Sequence, residues 1–358
     1  MLMGLRYLKK GKPFYYDRRL SMKKNIFTII VVFAITAVRA QDPNFSQFFA
    51  SPLTINPALT GSSNSDLRVF TNYRQQWVGN NTSYNTGTLS LDSRLFKDQL
   101  AENHVFGIGG FFMRDQSLNG YFKSTYASIN ASYMIALDKD GNHNLGMGLA
   151  GIYGDRRLDF SQLTFSEQFG SGGFNTALPT GESGLSSLKP YVSVASGLIY
   201  RYTADKTDID FGVSGYHYNN PKQSFLSDSL GNSLPTRFVT HFNMENYLSE
   251  NFSLSTNAIF QTQASQSYLA AGAILNYGTM DQNEGKIFSV GLFLRSDDAI
   301  YPYVGLIVDR LQVGLTYDVA VSKLKTSSYT PRTFELSVIY HLANKNLKER
   351  KLVRCSRW

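Results

Sequence analysis

Residues 311–322 read Leu-Gln-Val-Gly-Leu-Thr-Tyr-Asp-Val-Ala-Val-Ser, and residues 333–342 read Thr-Phe-Glu-Leu-Ser-Val-Ile-Tyr-His-Leu. In the first run Leu311, Val313, Leu315, Tyr317, Val319 and Val321 fall on one face. Gln312, Gly314, Thr316, Asp318, Ala320 and Ser322 fall on the other. The second run separates Phe334, Leu336, Val338, Tyr340 and Leu342 from Thr333, Glu335, Ser337, Ile339 and His341. A period of two is the signature of a strand, because successive side chains of extended backbone point to opposite faces. Alternation over about ten residues, apolar outward and polar inward, is what a lipid-facing barrel strand requires.

The same alternation, followed back along the chain, predicts about fourteen strands. They fall at 65–77, 83–94, 104–114, 121–137, 143–156, 190–203, 207–218, 236–248, 251–264, 267–278, 285–295, 300–308, 311–322 and 332–342. The weakest are 83–94 and 267–278, so twelve or sixteen strands also fit. The connections sort by parity. Long ones follow strands five (157–189), seven (219–235) and thirteen (323–331); short ones follow six, eight and twelve. Short turns at one end and long loops at the other are the pattern of an outer-membrane barrel with both termini in the periplasm.

Composition agrees. Aromatic residues make up 14% and charged residues only 17%, against about 25% charged in soluble domains. No apolar run after residue 40 is long enough for a membrane helix. Ahead of it, residues 22–40 read as a signal peptide: a basic Met22-Lys23-Lys24, an apolar stretch to Val38, and a Val38-Arg39-Ala40 cleavage site. Residues 1–21 then read as a start called too early; an uncleaved anchor with a basic tail is the alternative. Nine of the 35 Lys and Arg and one of the 27 Asp and Glu precede Gln41, leaving 26 of each in residues 41–358. With no net charge, that region offers a nucleic acid nothing to bind. The single cysteine, Cys355, permits no internal disulfide.

Between the signal and the first strand lies Gln41–Gly61, QDPNFSQFFASPLTINPALTG. Prolines 43, 52 and 57 break any regular ladder. Phe45, Phe48, Phe49, Leu53, Ile55 and Leu59 make it too apolar for a solvated linker. It is expected to pack into the periplasmic half of the barrel lumen or across its mouth. The expected layout is therefore 1–21 outside the true protein, 22–40 signal, 41–64 leader, 65–342 barrel and 343–358 periplasmic tail.

Asp42-Pro43-Asn44-Phe45-Ser46-Gln47-Phe48 and Asn56-Pro57-Ala58-Leu59-Thr60-Gly61 resemble the opening motifs of the PorP/SprF family, outer-membrane proteins of the type IX secretion system. Tyr73-Arg74-Gln75-Gln76-Trp77, the glycine-rich Gly107–Phe112 with Asp115, and Val313–Asp318 with Ser322-Lys323-Leu324 and Phe334–Ser337 are similar to further family motifs. The ending Cys355-Ser356-Arg357-Trp358 departs from the family's C-P-R-F at two positions. The resemblance implies a barrel that works with other type IX components to export or retain a large surface adhesin, in gliding bacteria especially. It makes Asp42, Pro43, Phe45, Phe48, Phe49, Asn56 and Pro57 the candidates for partner or plug contact.

No constellation points to an enzyme, a cofactor or a metal. Histidines 104, 143, 217, 241 and 341 show no local metal-pair spacing, and Gly107-x-Gly109 lacks the third glycine and the helix of a dinucleotide loop. The alternatives to secretion are a diffusion porin and, less supported, an outer-membrane hydrolase. Closure of a barrel must pair the last strand with the first. Outward parity for Leu67, Val69 and Tyr73 turns Arg68 and Arg74 inward. Arg74 is expected to meet Asp318 or Glu335 on the lumen side of that seam.

Overall fold

The computed structural model describes residues 42–63, 65–78, 84–97, 99–181, 188–223, 233–279, 285–296, 298–321 and 332–342. The regions 1–21, 22–40 and 343–358, and with them the signal peptide and Cys355, lie outside the described residues. Among the described residues fourteen antiparallel strands form one closed barrel. They are β1 Leu67–Gln76, β2 Tyr84–Leu95, β3 Val105–Ser117, β4 Phe122–Ala136, β5 His143–Leu158, β6 Tyr191–Thr203, β7 Thr207–Tyr216, β8 Arg237–Tyr247, β9 Phe252–Gln263, β10 Gln266–Thr279, β11 Lys286–Arg295, β12 Ala299–Val308, β13 Leu311–Ala320 and β14 Arg332–Leu342.

Each strand pairs with its sequence neighbours, and β1 closes on β14 from Leu67 opposite Leu342 to Gln76 opposite Thr333. Closure removes every free edge, the condition for a sheet in lipid, where no water can satisfy an unpaired amide. The expected strands all form, the two weakest included; β3 runs three residues further than its alternation suggested. Outward positions such as Leu89, Leu91, Ile129, Leu149, Val192, Leu292 and Leu315 are exposed, and between them Ser90, Asp92, Asn130, Ser193 and Thr316 are buried.

We name the end where β1 starts and β14 stops the near end, and the opposite one the far end. Odd strands run near to far. The long connections between β5 and β6 and between β7 and β8 are at the far end. The first of these carries a two-residue ladder, Phe169–Gly170 against Gly173–Phe174.

Residues 42–63 lie inside the barrel. They form three single turns of 3-10 helix at Phe48–Ala50, Pro52–Thr54 and Pro57–Leu59. Proline opens the second and third, where its missing N–H costs nothing and its fixed φ suits the turn. The side chain of Asn56 accepts from the Ala58 amide and caps the third.

Candidate functional site

A non-helical, non-sheet backbone at membrane depth is tolerated only where protein supplies its hydrogen-bond partners. The lumen does so along the whole leader, which doubles back on its way: Arg237, beside Asp42, also donates to the Thr54 carbonyl at 3.0 Å. The Asp42 amide donates to Gln263 Oε1 at 2.8 Å, on the last residue of β9. The Asp42 carboxylate lies 2.7 Å from His217 Nε2, 3.5 Å from Arg156 and 3.6 Å from Arg237. Burial alone would raise this carboxyl, but the His217 hydrogen bond and the charges of His217, Arg237 and Arg156 outweigh it and hold it well below the usual carboxylate range. Arg156 also donates to the Tyr126 hydroxyl, and the Arg237 guanidinium stacks 3.9 Å from the centroid of the Tyr216 ring.

The next layer sits beside the seam. Glu335 is fully buried, and its two oxygens accept the amides of Ser46 and Gln47 at 2.7 and 2.8 Å. The Ser46 hydroxyl donates to Asp318, which Arg295 grips at 2.6 Å. The Gln47 side chain donates to the Glu335 carbonyl and accepts from Ser337. Arg74 and Glu335 are register partners across β1 and β14. Their ion-pair distance is 3.9 Å, and that from Arg74 to Asp318 is 3.8 Å. Arg74 is drawn closer to Asn44, whose carbonyl and side-chain oxygen it meets at 2.6 and 3.0 Å. The seam charges therefore meet, but mainly through the leader between them.

Below this the aromatic residues pack. Phe45 and Phe48 are buried, and each contributes on the order of 1.5–3 kcal/mol. Phe49 is half-buried, short of the full burial expected from its apolar character. It stacks on Phe293 at 5.3 Å and meets Tyr303 edge-on. At mid-depth Asn56 Nδ2 reaches the Leu198 and Val213 carbonyls and His241 Nε2, at 3.0, 3.3 and 3.0 Å. Pro57 is buried over Gly148 of β5, where a Cβ would fall on the Pro57 and Ala58 backbone. Near the start of β1, Arg68 holds Asp92 by two bonds, and Asp92 accepts the Gly61 amide at 2.6 Å. Arg201, paired with Asp210, donates to the Ser62 carbonyl at 2.8 Å.

The leader thus goes further than expected. Packing in the near half or across the near mouth accounts for residues 57–63, but Asp42 sits among strand residues at the far end. There its carboxylate is matched by Arg156, Arg237 and His217. Pro43 is half-buried beside it. Arg68, Arg156, Arg201, Arg237, Arg295, His217 and His241 were not singled out as leader contacts from sequence. Inward parity within each strand was the one signal that marks most of them. His341, expected to face the lumen, bonds Ser65. Among the described residues no group of three His, Cys, Asp or Glu is placed to hold a metal ion.

A family model described as "Type IX secretion system membrane protein PorP/SprF" matches residues 37–340. Among solved structures the chain is similar to the CymD monoaromatic hydrocarbon channel, at 11% identity and a TM-score of 0.45, covering 82% of this chain and 93% of that one. It is similar to the P. putida toluene transporter TodX, at 8% identity and 0.44, covering 81% and 93%. It is also similar to a Pseudomonas aeruginosa FadL homologue, at 12% identity and 0.44, covering 80% and 92%. No curated protein matches.

Proposed function

The chain belongs to the PorP/SprF family of type IX secretion system membrane proteins, and on that premise we propose that it assists export or surface anchoring of a large adhesin-like protein, in support of gliding motility. The observation that carries this reading is the leader. A diffusion porin works through a water-filled bore, whereas this lumen is crossed by the chain's own residues 42–61, bonded to the strands at every level. A barrel filled in this way offers its ends to partners rather than its interior to solutes. The near end, with its short turns, faces the periplasm and the other secretion components. The far end, with the long loops over 157–189 and 219–235, faces outward and carries partner choice, because loops on a rigid scaffold are where recognition concentrates. The exposed apolar band between them contacts membrane lipid.

Deleting the gene and profiling surface-attached and released proteins tests this. The expected result is loss of one large protein from the surface. An unchanged surface profile, together with steady conductance of the purified protein in planar bilayers, would instead establish the porin reading.

A further inference from the structure

We infer that the outer wall of β3, β4 and β5 carries, at its far end, a binding site for the phosphate of a lipid headgroup, formed by Arg114, Lys123 and Arg157. This goes beyond the functional reading and rests on it only for which leaflet is meant: with the far end outward, the lipid belongs to the outer leaflet.

The first observation is distribution. Among the described strand residues, charged side chains stand at outward positions at Arg114, Lys123, Asp155, Arg157, Lys286 and Arg332. The first four share the far end of three adjacent strands. Lys123 and Arg157 are register partners, and Arg114 faces Thr125, the next outward residue of β4. Adjacent strands lie about 4.8 Å apart and successive outward residues about 6.7 Å. Three long cationic side chains therefore reach one common region of the wall.

The second is the missing counter-charge. Like charges directly opposite each other on one face of a sheet repel. Asp155 accepts from Arg157 Nε at 2.8 Å, yet the Arg157 side chain stays 76% exposed. Arg114 and Lys123 have no ion-pair partner among the described residues. Three cations and one carboxylate leave two positive charges over. Inside the same barrel arginines are matched: Arg68 by Asp92, Arg201 by Asp210 and Arg295 by Asp318. The outer group lacks an anion of its own, and guanidinium groups suit a phosphate, which they bind through paired hydrogen bonds.

The third is depth. Tyr133, 3.0 Å from His104 Nδ1, belongs to the aromatic border at the near end. Lys123 lies ten residues from it along β4. At about 3.3 Å per residue and a tilt of about 40°, this is about 25 Å, the height of the apolar band of such barrels. Phe112 and Tyr153 are exposed one outward residue below Arg114 and Asp155. The cations thus stand where hydrocarbon gives way to headgroups, and the anion at that level is the lipid phosphate.

The test is a titration of the purified full-length protein in non-ionic detergent, read by native mass spectrometry as the fraction carrying lipid. The probes are diphosphoryl lipid A, the same lipid freed of its phosphates, and inorganic phosphate. The variants are Arg114→Gln, Lys123→Gln and Arg157→Gln combined, and Lys286→Gln at the near end as the control. Heat-modifiable gel mobility reports folding, and Lys123→Gln alone replaces the combination if that fails to fold. Wild type and Lys286→Gln should hold diphosphoryl lipid A about tenfold more tightly than the phosphate-free lipid, and the combined variant should lose that preference. Equal binding of the two lipids by wild type would overturn the inference, as would a combined variant that keeps the preference. Displacement of the lipid by an equal concentration of inorganic phosphate would also overturn it, since the site would then take the free anion. So would unchanged lipid binding in a combined variant that no longer retains its surface protein, which would make the patch a protein-docking site. The leaflet is checked apart from this, with a membrane-impermeant maleimide on intact cells carrying Cys355→Ser and Gly172→Cys, a far-end position where a Cβ meets nothing within 4 Å. Labelling supports the outer leaflet; labelling only after permeabilisation overturns that assignment and the orientation with it, and leaves the lipid titration standing.

Discussion

Replacing Glu335 by glutamine changes almost no volume and puts a donor in place of one acceptor oxygen. Glu335 is fully buried and its two oxygens take the amides of Ser46 and Gln47 at 2.7 and 2.8 Å. Glutamine keeps one acceptor and turns an NH2 toward the other amide, so one buried bond is lost and two donors face each other. A buried hydrogen bond contributes about 0.5–1.5 kcal/mol, and an unsatisfied buried donor costs about 1–3 kcal/mol more. The expected loss is therefore about 2–4 kcal/mol on those grounds. It falls on docking of the leader as well as on the β1–β14 seam. Glu335→Ala, which loses both acceptors and leaves a void, should lose more. Urea unfolding in lipid vesicles measures the first effect, and protease cleavage within residues 42–61 measures the second. A Glu335→Gln protein with the wild-type unfolding midpoint and a fully protected leader would refute the reasoning. It would mean that these two bonds do not hold the leader.

Gly148→Leu puts a side chain where Pro57 and Ala58 cross β5, and overpacking there should cost about 1–3 kcal/mol. Gly151→Leu, three residues along the same strand with open space around it, should unfold at the wild-type urea midpoint or above. Asn56→Ala removes the cap of the third leader turn and its bonds to β6, β7 and β8. A loss of about 1–2 kcal/mol is expected from the cap alone, read from the same unfolding curves. Asp42→Asn tests the far-end socket by pH. The carboxyl is depressed in the folded protein, so its contribution is complete above its ordinary value of 3.8 and is lost as pH falls through the folded value. The stability gap between wild type and Asp42→Asn should stay open down to about pH 3.8 and narrow below it. A gap unchanged in strong acid would remove the carboxylate from the argument.

The barrel was legible because lipid imposes a strict rule on every strand. Leu311–Ala320 and Arg332–Leu342 face hydrocarbon on one side and the lumen on the other, and nothing but alternation satisfies both. Even Tyr84–Leu95, rich in Asn, Ser and Thr, keeps Leu89 and Leu91 outward. Register across the seam followed from parity and strand direction, which placed Arg74 opposite Glu335. The leader was legible only as something that docks. Its apolar residues and prolines show no period, so neither its depth nor its contacts can be read from spacing. The partners of Asp42 come from four strands or strand ends more than a hundred residues downstream, and only closure of the barrel brings Arg156, His217, Arg237 and Gln263 around one carboxylate. Gly107 and Gly148 are where the leader presses against the wall.

That close passage constrains how such a chain can vary. At Gly107, Gly148, Gly197, Gly212 and Gly314 an added Cβ would meet Thr60, Pro57 and Ala58, Asn56, again Asn56, and Gln47 respectively. Five strands and one short segment are thus tied together position by position. A change in either is acceptable only with a matching change in the other, as with a key and the wards of its lock. In the described part of the β5–β6 connection, an added Cβ at Gly170 or Gly172 would meet nothing within 4 Å. Positions like these can change while the interior stays nearly fixed.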